Sequence, residues 1–488
     1  MTSRLDSRTR WVALIVLCLG DLMIVLDSTI VNVALPSIRK DLAFSPASLA
    51  WVVNAYLLTF GGFLLLGGRL GDLWGHRRLF LVGIGLFTLA SLACGLSGTQ
   101  GMLIAARAIQ GIGGAVVSAV SLSLIMSLFT EPAERAKAMG FFGFVAAGGG
   151  SVGVLLGGLL TSALTWHWIF FVNLPLGVVV AALTLIVLPD DRAPAQSAHL
   201  DVAGAVTVTA ALMIAVYAIV NGNEAGWLSG QTIGLLAVAI ALMGIFLWVE
   251  SRVESPLVPL RLFQIRNVAT ANGVGILWAA AMFAWFFFSA LYLQAVLGYQ
   301  PLFVGLAYLP ANLIMAAFSF SFSAKLVMRF GIKRPLVMGL SLASIGLLLF
   351  ARAPMGGSFV VDVLPAMILL GLGAGIAFNP MLLAAMSDVG PDESGLASGV
   401  VNTAFMMGGA LGLAILASVA ASRTGSLLAA GTKPLAALNG GLHMAFLAGG
   451  ICAIAAATLS AVYLRVSDAK PMAYDEPEWV PAGAASHS

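Results

Sequence analysis

Charged side chains are scarce in this sequence. Its 488 residues include 24 lysines and arginines and 21 aspartates and glutamates, so that 9% of the residues are charged and the net charge is +3. Soluble domains carry about 25% charged residues, whereas 60% of this chain is hydrophobic, which indicates an integral membrane protein. The small net charge gives no reason to expect a nucleic acid partner.

Cysteine is also scarce. Cys18, Cys94 and Cys452 lie in apolar stretches without metal-ligand spacing, so we expect free thiols and no disulfide framework. The chain contains no nucleophile–base set, no metal-binding cluster and no Walker-type phosphate loop. We therefore expect neither a metal nor a cofactor, and neither an enzyme nor a nucleotide-driven pump. A channel is disfavoured because no filter-like repeat is present.

Long apolar runs make up most of the sequence. Windows of about 17 to 25 residues, the length that crosses a bilayer as a helix, predict fourteen transmembrane helices. They begin near Trp11, Leu49, Leu79, Met102, Ala136, Trp168, Val202, Gln231, Val268, Leu302, Pro335, Phe359, Gly395 and Leu442. With the amino terminus in the cytoplasm, 18 of the 24 basic residues fall inside, as the positive-inside rule requires. We predict a multi-pass protein of the cytoplasmic membrane with both termini cytoplasmic.

An internal repeat divides the chain. Residues 67–78 align without a gap with residues 323–334, and the fifth and thirteenth spans correspond at the same offset. Duplicated halves around a midplane site are typical of transporters. We predict an all-α integral membrane fold of two six-helix halves plus an inserted central helix pair. The predicted parts are a cytoplasmic tail (1–10), the amino-terminal half (11–188), the inserted hairpin (189–250), a cytoplasmic linker (251–266), the carboxyl-terminal half (267–466) and a disordered cytoplasmic tail (467–488).

Two acids lie inside the first predicted span, Asp21 and Asp27. An acid at the bilayer centre costs about 2.5 to 3.5 kcal/mol even on lenient scales, which makes it a functional candidate. Burial disfavours the charged form, so such a group can bind and release a proton. At the helical rise of about 1.5 Å per residue, Arg107 and Gln110 of the fourth span reach a depth similar to that of Asp27. We predict that Arg107 contacts Asp27 or its hydrogen-bond network.

The residues alone leave the roles of these groups open. Asp21, Ser28 and Asn32 share one helix face, and Asp27 lies about 120° away from Asp21. One face could line a central cavity while the other meets a neighbouring helix, or the reverse. Asp21 is retained as a second proton site or a site for a substrate cation. The alternative to proton coupling is a permanent ion pair of Asp27 and Arg107 that only holds two spans together.

The loop after the second span combines small and charged residues, namely Gly67, Arg69, Gly71, Asp72, Gly75, Arg77 and Arg78. It resembles the signature loop between helices two and three of the Major Facilitator Superfamily. Residues 26–36, 107–114 and 166–175 resemble its fourteen-helix drug:proton antiporter branch. The resemblance implies alternating access driven by the proton gradient, Asp27 as the proton carrier, and a loop that latches the two halves on the cytoplasmic side. The alternative is that the loop charges only enforce topology.

The fifth span is rich in glycine, which permits close packing of helices. The predicted packing positions are Gly149, Gly153, Gly157 and Gly158. In the family motif that this span resembles, a proline follows the position of Gly153, and Val154 stands there instead. The glycine face is retained, but the sequence does not support the kink attributed to that proline.

The carboxyl-terminal half has no acid well inside its spans, and it is rich in aromatic, methionine and asparagine side chains. Aromatic faces bind flat lipophilic molecules and cations. Candidate substrate-cavity residues from both halves are Asn32, Trp51, Tyr56, Trp278, Trp285, Tyr292, Tyr308, Asn312, Phe378, Asn379, Asn402 and Phe405.

These features predict a proton-coupled exporter of lipophilic drugs or toxic compounds, cationic ones included. Its partners would be the bilayer, protons and a small-molecule substrate. The alternative is a narrow exporter of an endogenous secondary metabolite on the same fold, and a membrane enzyme or a channel fits less well.

Overall fold

Long apolar helices form nearly all of the chain that the computed structural model describes, which is residues 6–45, 47–129, 131–188, 201–253, 256–390 and 394–465. The first seven helices are α1 (Ser7–Asp41), α2 (Trp51–Trp74), α3 (His76–Gly95), α4 (Gln100–Leu128), α5 (Pro132–Ala163), α6 (Trp168–Phe171) and α7 (Asn173–Val187). Two further helices form a hairpin, α8 (Val202–Ala225) and α9 (Gly230–Glu250). The last seven are α10 (Arg266–Leu291), α11 (Pro301–Ala317), α12 (Ser323–Phe330), α13 (Lys333–Phe350), α14 (Leu364–Met386), α15 (Ser394–Ala429) and α16 (Pro434–Tyr463).

Within the described residues, twelve helical segments are long and apolar enough to cross a membrane. Two shorter apolar helices, Gly148–Ala163 within α5 and Pro301–Ala317, add to them. Most predicted starts lie within a few residues of the observed ones, but α16 begins at Pro434 and not near Leu442. The polar and small residues of its first two turns lower the local hydropathy without interrupting the helix.

The two halves repeat the same packing scheme. In the amino-terminal half α1 packs on α5, and α4 packs on both α2 and α3. In the carboxyl-terminal half α10 packs on α15, and α14 packs on both α11 and α13. The halves meet at two contacts, α5 with α11 and α2 with α15. In the repeat, α11 corresponds to α2 and α15 to α5, so the two contacts are equivalent.

The inserted hairpin lies at the edge of this arrangement. Helix α8 packs on α2 and α15, whereas α9 packs chiefly on α8. Large apolar side chains of α9 are exposed, Ile240 at 73% and Trp248 at 60%, as suits a helix that faces lipid. The predicted tail 467–488 and residues 189–200 at the start of the predicted hairpin lie outside the described residues.

Two hydrogen bonds join the halves near one end of the bundle. Gln294 Nε2, just after α10, donates to the Val33 carbonyl of α1 at 2.7 Å. The Leu302 amide of α11 donates to Ser162 Oγ of α5 at 3.0 Å. The predicted topology assigns this end to the outside.

Candidate functional site

Asp27 lies inside the amino-terminal half with no exposed surface. Its carboxylate accepts hydrogen bonds from Arg107 Nη1 at 2.5 Å, Gln110 Nε2 at 2.8 Å and Asn173 Nδ2 at 3.0 Å. An unpaired carboxylate buried in this way would be very unfavourable. One cation and two amides from α4 and α7 supply the compensation.

Arg107 is also buried, with 1% of its surface exposed. Its Nε donates to the Val52 carbonyl at 3.0 Å, and Nη1 donates to Gln110 Oε1 at 2.6 Å. The guanidinium carbon lies 4.3 Å from the ring centre of Tyr56 and 5.8 Å from that of Phe170. Such ring faces attract a cation, more so when it is desolvated. The guanidinium is therefore held from several directions.

A second layer of polar groups supports these donors. Ser91 Oγ on α3 accepts from Gln110 Nε2 at 2.6 Å and from Asn173 Nδ2 at 3.1 Å. The Cys94 thiol donates to Gln110 Oε1 at 3.6 Å. Sequence reasoning did not select Ser91, Cys94 or Asn173, although Asn173 lies in the 166–175 stretch used for the family resemblance. The place of Asn173 in that stretch is the signal that could have identified it as a site residue.

Glycines of α4 allow the neighbouring helices to come close enough to build the site. A Cβ at Gly111 would overlap the Tyr56 carbonyl of α2, and a Cβ at Gly113 would lie 2.7 Å from the Phe87 amide nitrogen of α3. Because a side chain fits at neither position, α2 and α3 approach α4 directly. This close approach places the Val52 carbonyl of α2 within hydrogen-bond distance of Arg107, and the Ser91 hydroxyl of α3 within hydrogen-bond distance of Gln110.

The carboxyl-terminal half repeats the close packing without the polar groups. Gly371 and Gly373 of α14 lie against the backbones of α11 and α13. The residues that align with Arg107 and Gln110 are Met367 and Leu370, both fully buried. Within the described residues, this charged network therefore occupies one half only.

Asp21 lies apart from this network. It is 5% exposed, and the Ser118 side chain of α4 faces its carboxyl group. On the same helix, Asn32 Nδ2 donates back to the Ser28 carbonyl at 3.2 Å. Of the two arrangements left open by the sequence, the structure has Asp27 facing the neighbouring helices α4 and α7.

The loop between α2 and α3 makes contacts within the amino-terminal half. A Cβ at Gly67 would lie 3.1 Å from the Val116 Cα of α4. Gly75 joins the two helices with φ of +89°, a conformation that favours glycine. Arg77 Nη2 donates to the Leu185 carbonyl at the end of α7 at 2.7 Å.

The other loop residues differ in their surroundings. Gly71 lies beside the His76 ring, and Arg69 and Arg78 are exposed. The side chain of Asp72 lies outside the part that the structure describes. The predicted latch between the halves stays a prediction.

Three of the predicted packing glycines of α5, namely Gly149, Gly153 and Gly157, lie against α1, and Gly158 lies against the Pro301 and Leu302 backbone of α11. Helix α5 continues without interruption through Val154, which is fully buried.

Several predicted cavity residues cluster in the carboxyl-terminal half. The Phe405 ring lies 6.0 Å from that of Phe283 and 6.1 Å from that of Phe378. The Trp278 and Trp285 indole nitrogens and both amide atoms of Asn312 are buried without a hydrogen-bond partner in the described chain. Asn379 Nδ2 donates to the Ser319 carbonyl at 2.8 Å, and Asn402 is partly buried.

Other predicted cavity residues make contacts elsewhere. Tyr56 lies beside Arg107 and so belongs to the Asp27 network. The Tyr292 hydroxyl donates to the Pro354 carbonyl at 2.8 Å, and that of Tyr308 to the Phe286 carbonyl at 2.8 Å. The Trp51 ring lies 6.5 Å from that of Tyr217 on α8.

The family profile of the Major Facilitator Superfamily matches residues 17–413. The chain belongs to the Major Facilitator Superfamily. It is therefore a multi-pass membrane transporter of this superfamily. The puromycin resistance protein pur8 of Streptomyces alboniger is 40% identical over 437 residues, covering 89% of this chain and 86% of the relative.

Further relatives span similar lengths. The cephamycin export protein CmcT of Amycolatopsis lactamdurans is 37% identical, covering 87% of each chain. The multidrug resistance protein Stp of Mycobacterium tuberculosis is 36% identical, covering 85% of this chain and 77% of the relative. Among solved structures, a mutant of the nucleoside transporter NupG superposes with a TM-score of 0.63 at 14% identity, covering 93% of this chain and all of that one. This structural likeness supports the superfamily fold alone.

Proposed function

We propose that this transporter exports lipophilic drugs or toxic compounds, cationic ones among them, in exchange for protons, from a cytoplasmic membrane with both termini inside. The observation that carries proton exchange is the buried contact between Asp27 and Arg107. The resistance and export relatives support the direction and the class of substrate.

The contact provides a switch between two charge states. In the observed packing, Asp27 has a cation and two amide donors around its carboxylate. If α4 shifts relative to α1 within the amino-terminal half when the halves rock, the carboxylate loses its counter-charge in an apolar interior. Such an environment favours the protonated acid. Movement of the helices and binding of the proton would thus be linked.

We also propose that the short apolar helices in α5 and α11 cross the membrane, which gives fourteen spans and membership of the drug:proton antiporter branch. The two helices pack on each other where the halves meet, and this contact supports full insertion. The α8–α9 hairpin is then an addition at the periphery, outside the rocking halves.

The substrate would bind between the halves against the aromatic cluster of Phe283, Phe378 and Phe405. A neutral molecule or a single cation fits better than a dication, because the membrane-embedded acids in the described chain are few and Asp27 is already paired. The unpartnered amide of Asn312 would offer both a donor and an acceptor to a polar substituent.

A narrow exporter of the cell's own secondary metabolite is a second candidate. Two relatives carry names that refer to a single antibiotic or antibiotic class, puromycin and cephamycin. Expression in a drug-sensitive host separates the two candidates: resistance to several unrelated lipophilic compounds favours the broad exporter, and resistance to one chemical class favours the narrow one.

Proton exchange is tested in everted membrane vesicles. An imposed pH gradient, acidic inside, should drive uptake of a fluorescent lipophilic cation, and an ionophore that collapses this gradient should stop it. Uptake that persists after collapse of both the pH gradient and the membrane potential would contradict the proposal.

A further inference from the structure

A groove lies between the end of α13 and the α15–α16 hairpin, away from the Asp27 network. Its volume is about 400 Å³, within the size range of small-molecule sites. Three basic side chains line it, Arg352, Arg423 and His443. The remaining wall is apolar and includes Leu348, Met444 and Leu447.

The basic rim of the groove is held in place by hydrogen bonds. His443 Nε2 donates to the Ala353 carbonyl at 2.7 Å, and Asn439 Nδ2 donates to the same oxygen at 3.3 Å. Asn439 is 6% exposed. Because Ala353 directly follows Arg352, these bonds fix the backbone turn that carries this arginine.

The two arginines have no counter-charge in the described chain. Neither guanidinium makes an ion pair or a hydrogen bond with the residues that the structure describes, and both side chains are exposed. In the proposed topology they are two of only five lysines and arginines on the outer side, where the positive-inside rule disfavours such residues. The ligand that best fits two unpaired cations beside an apolar wall is an anion that also has an apolar part.

We propose that this groove binds an anionic phospholipid of the outer leaflet. The phosphate would lie between Arg352 and Arg423, since guanidinium groups bind phosphate with paired hydrogen bonds. One acyl chain would follow Leu348, Met444 and Leu447, and Leu447 is 40% exposed. Only the choice of leaflet rests on the proposed orientation.

The test measures lipid binding to the full-length protein in detergent by native mass spectrometry and by thermal stability. Phosphatidylglycerol is the probe, and phosphatidylcholine is the zwitterionic comparison. A basic residue near a membrane contributes about 1 kcal/mol to binding of anionic lipid. Replacing both arginines (Arg352→Gln with Arg423→Gln) should therefore weaken phosphatidylglycerol binding roughly thirtyfold, and Arg423→Gln alone about fivefold.

The matched control is Lys433→Gln, since Lys433 is also predicted on the outer side but does not line the groove. This variant should bind phosphatidylglycerol like the parent. The single Arg423→Gln variant keeps the test valid if the double variant unfolds. Equal binding of both lipids by the parent, or an equal loss in the control, would overturn the proposal.

A third arm distinguishes a lipid from a free anion. Inorganic phosphate and the deacylated headgroup glycerophosphoglycerol should fail to displace phosphatidylglycerol at concentrations equal to that of the lipid. Displacement by either at that concentration would show a simple anion site, and the lipid assignment would be wrong.

Discussion

The ion pair between Asp27 and Arg107 is open to a double-mutant cycle. The single variants are Asp27→Asn, which keeps the shape of the carboxylate, and Arg107→Met, which copies the residue at the aligned position Met367. Each single change leaves one buried charge without its partner. The double variant leaves none.

The structure sets the size of the effect. Both side chains are at most 1% exposed and meet at 2.5 Å, and breaking such a buried pair costs roughly 3 to 5 kcal/mol. In each single variant the remaining group keeps other contacts: Arg107 keeps the Val52 carbonyl and the Tyr56 ring, and Asp27 keeps the amides of Gln110 and Asn173. Neutral replacement of both partners is far better tolerated than loss of one. We expect the double variant to be more stable than Arg107→Met alone, with a coupling energy of about 2 to 3 kcal/mol.

The assay is unfolding in mixed micelles with increasing sodium dodecyl sulfate, followed by tryptophan fluorescence. All four proteins are compared at one pH. If the two single losses simply add in the double variant, the groups are not an energetically coupled pair and the reasoning is refuted.

Two further predictions concern packing and the contact between the halves. Gly153→Ala should destabilise the fold by about 1 to 3 kcal/mol, because the new Cβ would lie 2.9 Å from a backbone oxygen of α1. The control is Gly148→Ala, which should be neutral in the same unfolding assay because nothing lies within 4 Å of its Cβ position. Gln294→Ala removes the hydrogen bond to Val33 and, at about 0.5 to 1.5 kcal/mol, should favour opening of the outer end roughly two- to tenfold. Labelling of an engineered outer cysteine by an impermeant thiol reagent would measure this, with Gln231→Ala on α9 as the control, and unchanged labelling would contradict it.

Part of the site could be predicted from the sequence because helix geometry is regular. Because the rise and turn per residue are fixed, the position of a residue in a span gives its depth in the membrane and the helix face on which it lies. This was sufficient to predict that Asp27 lies at a depth similar to that of Arg107 and Gln110. It could not identify Asn173 or Ser91. Helices α3 and α7 are apolar on most sides, so the pattern of their sequence does not define which face turns inward.

The cavity residues were harder to predict for a related reason. In a membrane protein, an aromatic side chain in a span can face lipid, a packed core or a cavity, and hydropathy is the same in each case. Tyr56 was predicted as a cavity residue, and its ring lies beside Arg107. Its position depends on the close approach of α2 to α4 at Gly111, a contact between distant parts of the chain that no local pattern encodes.

The most direct test of proton coupling at Asp27 compares proton-driven transport by the parent, Asp27→Asn and Asp21→Asn in everted vesicles at matched expression. We predict that Asp27→Asn abolishes both substrate uptake and substrate-induced proton release, while Asp21→Asn keeps proton exchange and changes at most the preference among substrates. Transport by Asp27→Asn at the parent rate, with proton exchange intact, would show that the buried ion pair is only structural and that the proposed mechanism is wrong.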